Sequence, residues 1–398
     1  MNTSTLPKSS LKIRGVQYRD LSAIASLLQE RLSLENNYRF ASLLEQVQKY
    51  QSCYGLLQFS QMLPSSWNRD FYVYVAEKDG QIQGLIQVAP FNQNRSTWKV
   101  ELVIINHNTS LSHLLIGNCS IGSQLLRYCF EKIWEARTWI LEVNINEKST
   151  LGLYRENGFS PLAQITNWQC DGEVLAKLAQ KEPSLPNLLP VSNADSRLLY
   201  QLDCVSLPPT IRQVFDLHLE DFKTSFLAYV SQAIKSFWSK EETIKAYVFE
   251  PQRKAAIGYF QLTLSQNGAK PHEANLTVHP AYTWLYPKLL TQMASVIERF
   301  PSQCLLVSSG DYQPEREEYL EKIGATRVEQ NLLMSRSVWH KLRESKPLES
   351  LNLQEVLQGL KPSRPAIPTH WQPSPIENPI YPSSPLHHQS DEQKKGEK

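Results

Sequence analysis

Residues 120–159 read SIGSQLLRYCFEKIWEARTWILEVNINEKSTLGLYRENGF, and this stretch decides the fold. Small residues open a helix over Ser123–Trp134. Its Leu125, Leu126, Cys129, Phe130 and Ile133 recur at spacings of three and four, which marks one buried face. Trp139–Val143 follows as a strand of aromatic and β-branched residues. A second short helix runs through Tyr154 and is closed by Gly158. A small-residue turn at a helix start leaves backbone N–H groups without intrahelical partners, and the helix dipole adds partial positive charge there. Such a corner suits phosphate oxygens.

At these residues the chain resembles the GCN5-related N-acetyltransferase (GNAT) superfamily. Members typically show a strand, a Gln/Arg-x-x-Gly-x-Gly/Ala loop opening a helix, another strand, and a helix ending in Leu-Tyr-x-x-x-Gly-Phe. Leu153-Tyr154-Arg155-Glu156-Asn157-Gly158-Phe159 matches the last element fully. The loop matches in part: Gly122 fills the final Gly/Ala, Ser120 replaces the earlier Gly, and Gly117 stands where Gln or Arg is usual. The family's Asn falls on Glu147, with Asn146 one position early. The resemblance implies acetyl-CoA as co-substrate. Its arm would lie along Val103, Ile104 and Ile105, and its phosphates against the N–H groups of Ser120, Ile121, Gly122, Ser123 and Gln124, with Asn146 nearby. It also implies Tyr154 as the acid that protonates the leaving thiolate.

With 398 residues the chain exceeds one ordinary core and implies two domains plus extra segments. A hydrophobic content of 41% with 10% aromatics supports globular packing. The net charge of +2 gives no electrostatic reason to expect nucleic acid or an acidic membrane as partner. Six scattered cysteines without a Cys-x-x-Cys pair read as reduced thiols of a cytoplasmic protein. No apolar leader and no run of about 18 apolar residues is present, so a soluble protein is expected. His387-His388 lack ligand partners at metal spacing, and no zinc site is read.

Along the chain, Leu11–Val16 reads as a strand and Leu21–Glu30 as an amphipathic helix, with a further helical stretch over Tyr38–Gln61. Phe71–Ala76 and Ile82–Ala89 form a hairpin about Asp79-Gly80, and Trp98–Asn106 is another strand. The connection from His107 to Ser120 exceeds the family's usual length. It is either an extra turn beside the phosphate loop or a remodelled loop. A polar, proline-spaced connection over 171–196, beginning with a short helix at Val174–Gln180, reads as a linker.

The second half repeats the first. Strands are expected at Ala246–Glu250, Ala256–Ser265, Ala274–His279 and Gln303–Ser308, with helices at Lys288–Phe300 and Glu315–Gly324. Aligning the halves puts Tyr286 at the place of Gly122 and Leu320 at the place of Tyr154, so this half keeps the fold and loses the chemistry. The expected organisation is a mixed α/β (α+β) protein with two GNAT-like domains in tandem, 11–170 and 197–344. After them come a short helix at Leu348–Leu360 and a disordered Pro/Ser-rich tail to residue 398.

Acetyl transfer from a thioester to an amine needs a phosphate grip, a strand edge for the pantetheine arm, a base and an acid. Glu101, on the strand before the loop, resembles in placement the carboxylates that some family members use as base, and Glu142 and Asn144 rank after it. The bland alternatives are a plain helix cap at Ser120, an ordinary central strand at Val103–Ile105, a core Tyr154 and a solvated Glu101. The expected activity is acyl-CoA-dependent N-acyl transfer to a small-molecule or peptide amine, in the first domain. The alternative is an inactive binding or scaffold protein of the same fold.

Overall fold

The computed structural model describes residues 11–34, 72–106, 120–181, 184–224 and 240–338, together with Leu44 and Val47. The first half contributes β1 (Lys12–Gly15), α1 (Leu21–Leu34), β2 (Tyr72–Lys78), β3 (Gln81–Pro90), β4 (Thr97–Ile105), α2 (Ile121–Lys132), β5 (Thr138–Asn144), α3 (Lys148–Glu156) and β6 (Ser160–Cys170). A short helix, α4 (Gly172–Ala179), leads out of it. The second half contributes β7 (Leu188–Pro190), α5 (Ser196–Ser206), α6 (Pro209–Phe215), β8 (Glu241–Glu250), β9 (Ala255–Ser265), β10 (His272–Val278), α7 (Leu285–Ile297), β11 (Leu305–Gly310), α8 (Pro314–Lys322) and β12 (Thr326–Ser337). The 171–196 connection therefore donates an edge strand, β7, to the sheet. Most of Tyr38–Gln61, the loop with Gly117, and the Leu348–Leu360 helix and tail lie outside the described residues.

Local chemistry accounts for the repeat. Asp79 and Gly80 both take positive φ, +53° and +77°, which is the backbone a two-residue turn needs to join β2 to β3. Gly158 and Gly324 end α3 and α8 in the left-handed region at +80° and +85°. Both ends close alike: Phe159 N–H donates to Tyr154 C=O and Ala325 N–H to Leu320 C=O, the six-to-one bond of a glycine-stopped helix. Leu320 thus occupies the helical position that Tyr154 holds in the first half.

All twelve strands lie in one sheet, ordered β1-β2-β3-β4-β5-β12-β6-β11-β10-β9-β8-β7. The halves have exchanged their last strands. β12 pairs antiparallel with β5 from Asn331↔Asn144 to Ser337↔Thr138, and β6 pairs antiparallel with β11 from Leu305↔Cys170 to Gly310↔Ile165. At the centre β6 and β12 pair with each other. Core membership follows the exchange: Met334 of β12 packs among the first-half side chains around Trp98, Trp139 and Phe130. Trp168 and Cys170 of β6 pack in the second-half core around Phe260 and Leu289. Each such side chain stabilises its host half by about 1.5–3 kcal/mol of apolar burial.

The sequence reading contains neither β6 nor β12, and the structure shows why. Buried positions on β6 include Thr166 as well as Ala163, Trp168 and Cys170, so apolar alternation is broken. On β12 two register shifts interrupt the period, and Asn331 is buried. Among the described residues, no helix is long and apolar enough to cross a membrane.

Candidate active site

A parallel strand pair that comes apart defines the site. β4 and β5 pair only over Thr97–Val100 and Thr138–Leu141, yet β4 continues to Ile105 and β5 to Asn144. Separation begins where the β3–β4 register shifts between Gln87 and Val88, which leaves Glu101 as the extra residue of a bulge. Bulges bend a strand and increase its twist. Alternate residues of an antiparallel strand turn their N–H and C=O toward the partner. Asn106 N–H donates to Gln83 C=O at 2.8 Å, so Ile104 shares that phase and is committed to β3. Val103 and Ile105 turn their backbone groups into the opening. Of the three residues expected to hold the pantetheine arm, two present usable groups.

Helix α2 begins at the wide end of this wedge. Ser120 caps it: its hydroxyl accepts from Ser123 N–H at 3.1 Å and donates to Ser123 Oγ at 2.9 Å. Asn157, inside the Leu-Tyr-x-x-x-Gly-Phe motif, donates to Ser123 Oγ at 2.8 Å and to Leu153 C=O at 2.8 Å. Gln124 N–H is bound by Ser120 C=O at 3.0 Å. Two first-turn donors, Ile121 N–H and Gly122 N–H, are left without a partner among the described residues. Gly122 is required by packing, since a Cβ there would meet Leu153 Cδ2 at 2.7 Å. A diphosphate at this corner would therefore be held by two amides and the helix dipole, with Ser120, Ser123 and Gln124 supporting the turn. Asn146 is exposed in the turn after β5, where its N–H donates to Asn144 Oδ1 at 2.9 Å.

Tyr154 is buried on α3 beside Leu151 and Leu153, with its ring edge-on to Phe159 at 5.8 Å. Burial, with Glu147 adding to it, pushes the phenol well above its ordinary value, so it keeps its proton across the physiological range. Arg336 of the exchanged strand β12 donates to Asn157 C=O and lies over the Phe130 ring at 4.2 Å. The second half thereby pins the end of the helix that carries Tyr154. Glu101 is exposed and faces Lys99 Nζ at 3.5 Å. Lys99 reaches Glu142 on β5 at the same distance and so bridges the mouth of the wedge. Glu101, the wedge and the Tyr154 helix lie along one pair of strands.

The second half holds a matching wedge. β10 and β11 pair only over His272–Ala274 and Leu305–Val307 before both strands continue. Here Arg316, buried on α8, donates to Ser308 C=O of β11 at 2.8 Å and to Leu276 C=O of β10 at 2.5 Å. Its guanidinium also lies over the Tyr286 ring at 5.4 Å. One carbonyl on each strand of this wedge is thus taken by the chain itself. The sequence reading gives no role to Arg316, Arg336 or Asn157: the arginines act on residues distant in the chain, and Asn157 sits at a position the motif leaves free.

No protein-family model and no curated protein sequence matches the chain. Solved structures do. A tandem GNAT protein from the clavulanic acid biosynthesis pathway superposes with a TM-score of 0.52 at 11% identity, over 82% of this chain and 98% of its own. A GCN5-related N-acetyltransferase from Sphaerobacter thermophilus aligns with a TM-score of 0.49 at 15% identity, over 84% and 97%. One from Kribbella flavida aligns with a TM-score of 0.42 at 10% identity, over 82% and 72%. With two half-sheets that each open between a parallel strand pair and exchange their last strands, the chain has the GNAT fold in its tandem form.

Proposed function

We propose that the protein is an acyl-CoA-dependent N-acyltransferase that works in its first wedge, moving an acetyl group from acetyl-CoA to an amine by direct transfer. The observation that carries this reading is the opening between β4 and β5, with the backbone groups of Val103 and Ile105 turned into it and the first turn of α2 beside Ile105. These groups fit the donor. Acetyl-CoA, when bound, supplies a thioester as acyl source. Val103 and Ile105 would bond the amide-rich arm, and Ile121 and Gly122 N–H would face the phosphates. Glu101 takes the amine proton, through water, as the new N–C bond forms. Tyr154 gives its proton to the sulfur as the C–S bond breaks, and it needs to be held within hydrogen-bond reach to do so.

Isothermal titration with acetyl-CoA tests the donor site: micromolar binding lost in Gly122→Trp supports it, and no binding at millimolar ligand rejects it. The second reading, an inactive scaffold, draws on the self-satisfied Ser120–Ser123–Asn157 network. A thiol-release assay against a mixed amine panel separates the two, with free CoA appearing only for an enzyme.

A further inference from the structure

One face of the sheet carries a polar stripe that begins at the first wedge and crosses the exchanged strands. Glu101 and Lys99 lie on β4, Glu142 and Asn144 on β5, Glu329 and Asn331 on β12, and Asn167 on β6. Register places all but Glu101 on the same side, and Glu101, unpaired at the bulge, joins them through its contact with Lys99 Nζ. Asn331 stands opposite Asn144 and Ile165, and Glu329 opposite Asn167, two residues from Ile165. Glu329 is held by amides from both flanking strands. Asn144 Nδ2 donates to Oε1 at 3.2 Å and Asn167 Nδ2 to Oε2 at 3.3 Å. Beside it Asn331 is only 2% exposed, and its Oδ1 has no hydrogen-bond partner among the described residues. A dry acceptor atom lacking a donor is costly, and here it adjoins a carboxylate that two neutral amides orient without neutralising. Three carboxylates and one lysine leave the stripe net negative.

We infer that the acceptor is an extended amine with a second cationic group, and that Glu329 and Asn331, supplied by the second half through β12, recognise that distal group. This rests on the donor-site reading above, because the reacting amine is placed at Glu101. β12 lies two strand spacings from β4, about 10 Å across, and Glu329 stands four residues along β12 from Leu333, the partner of Glu142, about 13 Å further along the strand, so the sheet sets an acceptor length of roughly 16 Å. Lys99 occupies the near end between Glu101 and Glu142, which leaves the far end as the cation subsite.

The test titrates the full chain, without acetyl-CoA, with 1,12-diaminododecane and with 1-aminododecane, both kept below micelle-forming concentration. The diamine is expected to bind about tenfold more tightly, with the preference shrinking as salt is raised. Glu329→Gln, which keeps shape and amide contacts, brings the two amines to within about twofold. Asn331→Leu, near in volume, costs about threefold on the diamine alone. Equal affinities in the unaltered protein, a preference that survives both variants, or no binding by either amine overturns the inference. Acetyl-CoA titrated separately reports on the donor wedge, so a failure there is distinguishable from a failure here.

Discussion

The two wedges of this molecule have the same topology and opposite occupancy by their own side chains. In the first, a bulge at Glu101 bends β4 away from β5, and Val103 and Ile105 keep backbone groups turned into the gap. In the second, β9 and β10 pair without a register shift, and Arg316 spans the gap to bind carbonyls on both strands. The helix starts differ too: Gly122 lets α2 approach Leu153 closely, whereas Tyr286 fills the matching position on α7 with a buried ring. A backbone opening is an expensive feature unless something satisfies it. One half satisfies it with a guanidinium, and the other leaves groups available for a ligand.

Tyr154→Phe is the largest expected break in this comparison. If the first wedge is catalytic, losing the phenol proton should lower kcat by about 10²–10⁴ while acetyl-CoA affinity stays within about twofold. Leu320→Tyr, at the matching position of the second half, should create no activity, because Arg316 still fills the gap beside it. Equal kcat for wild type and Tyr154→Phe would remove the asymmetry of roles and leave two structural wedges.

Arg316→Met sharpens the contrast from the other side. It strips a donor from two buried carbonyls and should destabilise the fold by about 2–4 kcal/mol, read by denaturant titration. Acetyl-CoA binding in the first wedge should keep its affinity and a stoichiometry of one per chain. A second bound equivalent in the variant would show that Arg316 alone closes the other site.

Much of this was legible in the residues. Leu-Tyr-x-x-x-Gly-Phe at 153–159 announces a glycine-stopped helix, Asp79-Gly80 announces its hairpin, and the placement of Tyr286 and Leu320 anticipates the second half's departure. The strand exchange was not legible, because pairing partners in a sheet are set by tertiary packing. Nothing in Ala163–Cys170 says that Trp168 will sit in the other half's core. For the same reason the sequence offers more backbone donors at the phosphate corner than the fold leaves open: only the fold shows that Ser123 N–H goes to Ser120 Oγ and Gln124 N–H to Ser120 C=O.

The smallest expected effect concerns a carboxyl, Asp203, whose raised pKa would suggest a base in the wrong half. Asp203 on α5 is pushed up to about 6 by burial, near the Tyr312 phenol, while Ser206 on the same helix donates to Val278 C=O at the end of β10. A raised carboxyl pKa is a common mark of a catalytic group. Here it flanks the closed wedge, and desolvation alone explains it. Its folded pKa lies above the unfolded value near 3.8, so it favours the folded state below that value, and the advantage fades as pH rises through about 6. At pH 7 the buried charge is a net cost, and Asp203→Asn should stabilise the protein by about 1–2 kcal/mol and flatten its stability between about pH 4 and 6. Catalysis should be unchanged. A variant that instead lost acyl transfer would move the base to the second half and reverse the roles assigned to the two wedges.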